Sequence, residues 1–174
     1  MQNGLPPEAD VILRPARAGD ESGIVALILP IQAGEFGFSI TAADQPDLAD
    51  IDGFYRRGRG GFWVADDGGR IVGTIALRDL GDGQGALRKM FVAASHRGAS
   101  DRGSGDGIAQ RLLDILVQHA AANGFSVIVL GTTDRFLAAH RFYEKNGFAT
   151  IDAGDLPAGF PRMDLDTRFY RRTI

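Results

Sequence analysis

The sequence contains no cysteine among its 174 residues. Disulfide frameworks, thiolate metal sites and cysteine nucleophiles are therefore excluded, and we expect a reducing, cytoplasmic location. Histidine is also scarce. His96, His119 and His140 lie far apart in the chain, without a metal-ligand spacing such as H-x-x-x-H. We therefore expect no metal.

An excess of positive charge is absent as well. The chain has 19 Lys and Arg against 22 Asp and Glu, a formal net charge of −3. Nucleic-acid and anionic-membrane surfaces are built from clear excesses of Lys and Arg, so neither partner is expected. No segment reaches the ~20 apolar residues of a membrane-spanning helix. The opening MQNGLPPEAD lacks the features of a signal peptide, and we predict a disordered tail over residues 1–10. Residues 11–174 are predicted to form one domain.

The first half of the chain predicts a strand at VILRP and a helix that begins at Asp20 or Ser22. A shorter helix is predicted from near Pro46. Three runs rich in β-branched and aromatic residues, near 62–66, 70–79 and 85–92, are separated by glycine turns. This pattern predicts an antiparallel meander.

The second half alternates strands and helices. Five apolar residues share one helical face, and that helix is expected to end at Asn123-Gly124. These residues are Ile108, Leu112, Ile115, Leu116 and Ala120. FSVIVL predicts a buried strand, followed by a helix capped by Thr133 or Asp134. FATIDA and MDLDTRFYRR predict two further strands. The fold class is therefore α+β, with a mixed sheet of six or seven strands and about four helices.

A glycine-rich loop precedes the most regular helix. Arg102, Gly105 and Gly107 spell R-x-x-G-x-G directly before its first apolar residue. Such a run is either a solvated linker or an anion site, in which glycines let the backbone approach a phosphate at the helix N-terminus. The absence of a following Gly-Lys-Ser/Thr excludes a Walker A loop. A dinucleotide fingerprint fits poorly, because about ten residues separate the loop from the preceding strand.

Four stretches together resemble the GNAT-type N-acetyltransferases. LRKMFV resembles that family's fourth strand and RGSGDGIAQRLLD its pyrophosphate loop and third helix. FSVIVLGTT resembles the fifth strand and AAHRFYEKNGF the fourth helix. The resemblance implies a mixed sheet whose fourth and fifth strands splay apart to admit acetyl-CoA as the acyl-donor substrate.

The resemblance also implies which residues contact the donor. The backbone of the fourth strand would hold pantetheine, the loop would hold the pyrophosphate, and the remaining contacts would come from the fifth strand and fourth helix. These residues are Met90, Phe91, Val92, Arg102, Gly103, Ser104, Gly105, Asp106, Gly107, Ile108, Thr132, Phe142 and Tyr143. HRGASD is an apparent insertion before the loop, and either Arg97 or Arg102 could reach the phosphates. The glycine offsets favour Arg102.

By the same resemblance Tyr143 is the general acid that protonates the departing thiolate. The alternative is a core aromatic on the same helical stripe as Phe136. Many relatives carry a basic glutamate on the fourth strand, whereas GALRKMFV contains no carboxylate. The general base is therefore unassigned, with Glu35, Asp44, His140 or a water chain as candidates.

The resemblance implies an acceptor site built by the first two helices and the loop between them. Acidic side chains in this region would steer a cationic amine, and aromatic side chains would line its slot. Arg88 and Lys89 alternate faces on the fourth strand, so one of them should point to the cleft and bind an acceptor carboxylate or a CoA phosphate. The candidates are Gln32, Glu35, Phe36, Asp44 and Arg88. The alternative for the loop residues is that the acids lie on the surface and the phenylalanines belong to the core. The alternative for Arg88 is an ion pair with a neighbouring acid. IQ..EFGF.IT..DQPDL further resembles a bacterial subgroup whose acceptors are undefined.

The sequence thus predicts an N-acetyltransferase in which the amine of a small acceptor attacks acetyl-CoA directly, in a ternary complex. A catalytically silent CoA-binding or sensing module is the main alternative, because the fourth-strand glutamate is missing. A nucleotide-binding oxidoreductase is a further alternative. The expected assembly is a monomer or a homodimer.

Overall fold

The computed structural model describes residues 11–97 and 107–174 of the chain. Within these ranges it contains seven strands and four α-helices. The strands are β1 (Ile12–Pro15), β2 (Gly61–Asp67), β3 (Arg70–Gly81), β4 (Gln84–Val92), β5 (Val127–Thr132), β6 (Ala149–Ile151) and β7 (Arg168–Thr173). The helices are α1 (Glu21–Pro30), α2 (Ile51–Tyr55), α3 (Ile108–Ala122) and α4 (Leu137–Lys145). The predicted tail over residues 1–10 lies outside the described residues.

The seven described strands form one sheet in the order β1-β2-β3-β4-β5-β7-β6. β1 pairs antiparallel with β2, and β7 pairs antiparallel with both β5 and β6. β4 and β5 are parallel, as the helical crossover through α3 requires. The predicted fold class, a mixed and mostly antiparallel sheet with about four helices, is confirmed.

The parallel ladder between β4 and β5 is short. It pairs Gln84–Ala86 with Val127–Val129, although β5 continues to Thr132. Beyond Val129, β5 keeps its antiparallel register with β7. The predicted splaying of the fourth and fifth strands is therefore confirmed.

The described residues form two compact units by their contacts. The first comprises the described residues of Met1–Ile51, Phe62–Ile75 and Lys89–Leu113, and the second comprises Asp52–Gly61, Ala76–Arg88 and Asp114–Ile174. The single domain expected over residues 11–174 stays a prediction.

α3 follows the predicted helical face. Ile108, Leu112, Leu116 and Ala120 are each at most 1% exposed. Their spacing places them on one stripe of the helix, which is why the apolar pattern alone predicted this element. The helix ends at Ala122, directly before the predicted Asn123-Gly124 stop.

Two predicted boundaries were wrong. α4 begins at Leu137 with Phe136 at its N-cap, not at Thr133 or Asp134. A turn closed by the Phe136 amide and the Thr133 carbonyl at 3.3 Å delays the helix. The last strand begins at Arg168, because the Asp166 amide donates to the Met163 carbonyl at 3.0 Å and makes that stretch a turn.

The connection between α1 and α2 is also less regular than predicted. A π-helical turn, Ile31–Glu35, extends α1 beyond Pro30. The expected helix from Pro46 is a 3-10 turn, Pro46–Leu48, and α2 starts only at Ile51. The π turn positions two of the acceptor-site candidates, Gln32 and Glu35.

β4 contains a backbone irregularity at Lys89. Its φ of 53° is in the left-handed region, which is uncommon for a residue other than glycine. The Lys89 carbonyl accepts a hydrogen bond from the Thr74 hydroxyl at 2.7 Å. The ammonium donates to Gln45 Oε1 at 2.6 Å and lies 3.5 Å from Asp47 Oδ2. Gln45 in turn exchanges two side-chain hydrogen bonds with Gln32, at 3.0 and 2.8 Å.

We call Gln32, Gln45, Asp47 and Lys89 the buried polar cluster, since each is 7% exposed or less. A buried ion pair is costly to break, because the remaining charge loses its partner. The cluster therefore fixes the strained residue of β4 to the segment after the π turn.

We predict that Lys89→Met lowers the free energy of unfolding by about 3 kcal/mol, because it removes the cation beside a buried carboxylate. Chemical denaturation measures the change. Lys145→Met, which alters the other lysine of the chain at an exposed position of α4, is the matched control. The control should stay within about 0.5 kcal/mol of the wild type. Wild-type stability of Lys89→Met would contradict the role of the cluster.

Candidate active site

The predicted donor residues of β4 belong to the first unit. Val92 is buried, whereas Met90 and Phe91 are half-buried. The Val92 carbonyl accepts a hydrogen bond from Arg97 Nε at 2.7 Å. The backbone contacts from Met90 and Val92 to pantetheine stay a prediction.

Most of the predicted pyrophosphate loop lies outside the described residues. This applies to Arg102, Gly103, Ser104, Gly105 and Asp106. The two residues that follow are described. The Gly107 carbonyl accepts the Arg111 amide at 3.1 Å, and Ile108 is the first residue of α3. The first amides of a helix have no partner within it, so this end of α3 suits an anion.

Arg97, the alternative phosphate ligand, is engaged elsewhere. Its guanidinium forms a two-pronged ion pair with Glu35, with Nη2 and Oε2 2.9 Å apart. Its Nε holds the Val92 carbonyl, as described above. Arg97 thus has partners in the described part of the chain, and the assignment of Arg102 to the phosphates stays a prediction.

Tyr143 lies in α4, in the second unit, and is 6% exposed. Its ring packs against Phe142 and Phe148 with centroids 5.6 Å away, and against Tyr170 at 6.0 Å. Burial raises the pKa of the phenol above its usual value. Tyr143 is therefore packed in the core, which was the alternative to a role as general acid. Its phenol also keeps its proton well above neutral pH.

Thr132 and His140 lie in the same unit as Tyr143. Thr132 ends β5, and its carbonyl accepts the Thr167 amide at 2.9 Å. His140 is 4% exposed, and its Nε2 lies 2.9 Å from the Thr133 carbonyl. A carbonyl can only accept, so Nε2 carries the proton and donates it there. As a base, His140 would have to act through Nδ1.

The acceptor-site candidates of the first unit are already paired. Arg97 lowers the pKa of Glu35 by its hydrogen bonds. The backbone amide and hydroxyl of Thr41 hold the Asp44 carboxylate, at 2.8 and 2.9 Å, and lower its pKa. Both carboxylates are therefore weaker proton acceptors than a free side chain. Gln32 is part of the buried polar cluster, and the ring of Phe36 lies 6.1 Å from that of Phe38.

Arg88 lies in the second unit, where its Nη1 donates to the Tyr55 hydroxyl at 3.4 Å. Its positive charge also acts on Asp166, a half-buried carboxyl in the turn before β7. Asp166 was not among the predicted site residues, because the stretch that contains it was predicted to be a strand. A local signal for the turn was present, since the run D-L-D-T before the strand places two turn-favouring aspartates at Asp164 and Asp166.

No group of three or more His, Asp or Glu within the described ranges is arranged to hold a metal ion. Among the described helices, none has both the length and the apolar character that crossing a membrane requires.

Comparison with known proteins agrees with the fold. The acetyltransferase (GNAT) family model matches residues 27–148. N-acetylaspartate synthetase of Danio rerio is 35% identical over 130 residues, which cover 72% of this chain and 43% of that protein. Probable N-acetyltransferase family 8 member 5 of Mus musculus is 36% identical over 128 residues, covering 70% of this chain and 53% of that protein. The chain thus spans about half the length of these curated relatives.

A solved structure matches over nearly its whole length. The GNAT-family acetyltransferase of Staphylococcus aureus MU50 is 37% identical, with a TM-score of 0.86. The match covers 94% of this chain and 99% of that one. Since the family model spans more than half of the sequence and the fold agrees, the chain belongs to the acetyltransferase (GNAT) family.

Proposed function

We propose that this protein is an N-acetyltransferase that moves the acetyl group of acetyl-CoA to the amine of a small acceptor. The acceptor attacks the thioester directly, in a ternary complex. The proposal is supported by membership of the family, by the R-x-x-G-x-G loop before α3, and by the early end of the β4–β5 ladder. A cytoplasmic location, and a monomer or homodimer, stay predictions.

The observation that carries the proposal is the match of the acetyltransferase (GNAT) family model to residues 27–148, a range that includes the glycine-rich loop and Tyr143. A tyrosine phenol is protonated at neutral pH, and burial raises the pKa of Tyr143 further. A phenol in this state can give its proton to a departing thiolate, which is the role the family resemblance assigns to this position.

Acetyl-CoA would supply an activated acetyl group with a thiolate as leaving group. The residues that would hold its pyrophosphate are the backbone amides from Arg102 to Ile108, at the start of α3. Met90 and Val92 would align pantetheine through their backbone groups. An amide of β4 would also polarise the thioester carbonyl as its oxygen gains negative charge.

The relatives named above support an acceptor that carries a carboxylate. One of them is named for making N-acetylaspartate, an acylated amino acid. In this chain Arg88 supplies a guanidinium on β4, next to the short ladder with β5. We therefore propose an amino acid, or a small amine with a nearby carboxylate, as the acceptor class.

The proposed function is tested by thiol release from acetyl-CoA with a panel of amino acids and uncharged amines. We expect turnover, and a preference for acceptors with a carboxylate. Tight acetyl-CoA binding without turnover across the panel would instead favour the silent CoA-binding module.

For Tyr143→Phe we predict a turnover that is about 10²-fold lower or more, because the thiolate loses its proton donor. Acetyl-CoA affinity should hardly change, since the ring that packs in the core is retained. Steady-state kinetics and a binding titration separate the two effects. Tyr170→Phe is the matched control, because this neighbouring buried tyrosine donates to Glu144 at 2.8 Å. If both variants keep wild-type turnover, Tyr143 is not the acid.

For Gly105→Val we predict that acetyl-CoA binds about tenfold more weakly or worse, a cost of ~1.4 kcal/mol, because a side chain keeps phosphate oxygens off the backbone. Isothermal titration with acetyl-CoA measures the loss. Gly154→Val is the control, since a Cβ there meets no atom within 4 Å. Unchanged affinity of Gly105→Val would return the loop to the role of a linker.

A further inference from the structure

Asp166 is held against the middle of the second unit's sheet. Its Oδ2 accepts the Met163 amide at 2.9 Å, which fixes the carboxyl within its turn. A Cβ added to Gly131 would lie 2.7 Å from the same oxygen. The carboxylate therefore lies directly over the backbone of β5, at a position that only glycine leaves open.

Strand register shows which face of the sheet Asp166 covers. Ala86 pairs with Val129, so two residues further along each strand Arg88 and Gly131 point to the same face. Phe169 pairs with Gly131 and shares this face. The side chains of Arg88 and Asp166 thus lie on one face of the sheet, at the point where the β4–β5 ladder has ended.

Tyr143 approaches from the opposite face. It packs against Tyr170, which pairs with Leu130 and points away from the Gly131 side. One strand, β5, is therefore flanked by a protonated phenol on one face and by a carboxylate on the other. In acyl transfer from a thioester to an amine, one group must protonate the sulfur and another must take a proton from the nitrogen.

We propose that Asp166 is the general base that removes protons from the acceptor amine, with Arg88 beside it to bind the acceptor's carboxylate. This proposal rests on the proposed acetyltransferase function and assigns the role left open by the absent carboxylate on β4. Asp166 was not among the candidates for the base that the sequence suggested.

The environment of Asp166 makes its carboxylate a stronger proton acceptor than a free aspartate side chain. Burial raises the pKa of its carboxyl, and three groups oppose that rise: the Met163 amide and the positive charges of Arg88 and Arg162. Glu35 and Asp44 differ in this respect, because their pKa values are lowered by their partners. A carboxylate with a raised pKa binds a proton more readily, which is what a general base requires.

With Asp166 as proton acceptor and Tyr143 as proton donor, the protons of the reaction balance. Asp166 takes one proton from the acceptor ammonium and passes it to solvent. The neutral amine forms the N–C bond as the C–S bond breaks, Asp166 takes the second proton from nitrogen, and Tyr143 protonates the sulfur. Transfer of a proton from Asp166 to Tyr143 through solvent restores both, and the net reaction releases one proton.

The test is Asp166→Asn, which keeps a side-chain carbonyl for the Met163 amide and removes the basic oxygen. We expect kcat to fall about 10²-fold or more while acetyl-CoA affinity is unchanged. The acidic limb of the kcat/KM profile should disappear, because it reports protonation of Asp166. Asp166→Glu should restore part of the activity. Asp164→Asn, an exposed acid in the same turn, is the matched control and should behave as the wild type.

The outcomes separate this proposal from the proposed function. If the wild type transfers acetyl groups and Asp166→Asn keeps both its turnover and its acidic limb, Asp166 is not the base although the enzyme is an acetyltransferase. If the wild type binds acetyl-CoA but acetylates no amine in the panel, both proposals fail. If Asp166→Asn loses its fold, the carboxyl ¹³C signal of Asp166 in the wild type decides. A pKa of the Asp166 carboxyl that matches the acidic limb of the kcat/KM profile supports the proposal. A pKa well below that limb overturns it.

Discussion

The early end of the β4–β5 ladder is the constraint on which the proposed site depends. Parallel strands normally continue their hydrogen bonds along their shared length, and unpaired backbone groups are costly when they are buried. Here the ladder stops at Ala86 and Val129, although β5 runs on to Thr132. We propose that a ligand that pairs like a strand lies along β4 and β5 beyond this point. An extended pantetheine arm is such a ligand.

The chemistry that we infer places opposite proton-transfer roles on the two faces of β5. The α4 side supplies the buried phenol of Tyr143, and the other side supplies a carboxylate fixed by its own turn. Because the two groups lie on opposite faces of β5, the proposal assigns the proton donor and the proton acceptor to different sides of the bound thioester.

Much of this fold could be predicted from the sequence, because the relevant signals are local. The meander of β2, β3 and β4 follows from β-branched runs between glycine turns, and α3 follows from its apolar stripe. The features that escaped prediction depend on residues distant in sequence. The left-handed φ of Lys89 is held by Thr74, Gln45 and Asp47, and the Glu35–Arg97 ion pair joins residues 62 positions apart. Asp166 acquires its role only when β7 brings its preceding turn over Gly131.

The central claim is that a thioester is held beside β5 within reach of the Tyr143 phenol. A crystal structure of the protein with bound coenzyme A tests it most directly. The account predicts density for the pyrophosphate at the residues before Ile108, and the CoA sulfur within hydrogen-bonding distance of the Tyr143 hydroxyl. Coenzyme A bound elsewhere, or with its sulfur out of reach of that hydroxyl, would contradict it.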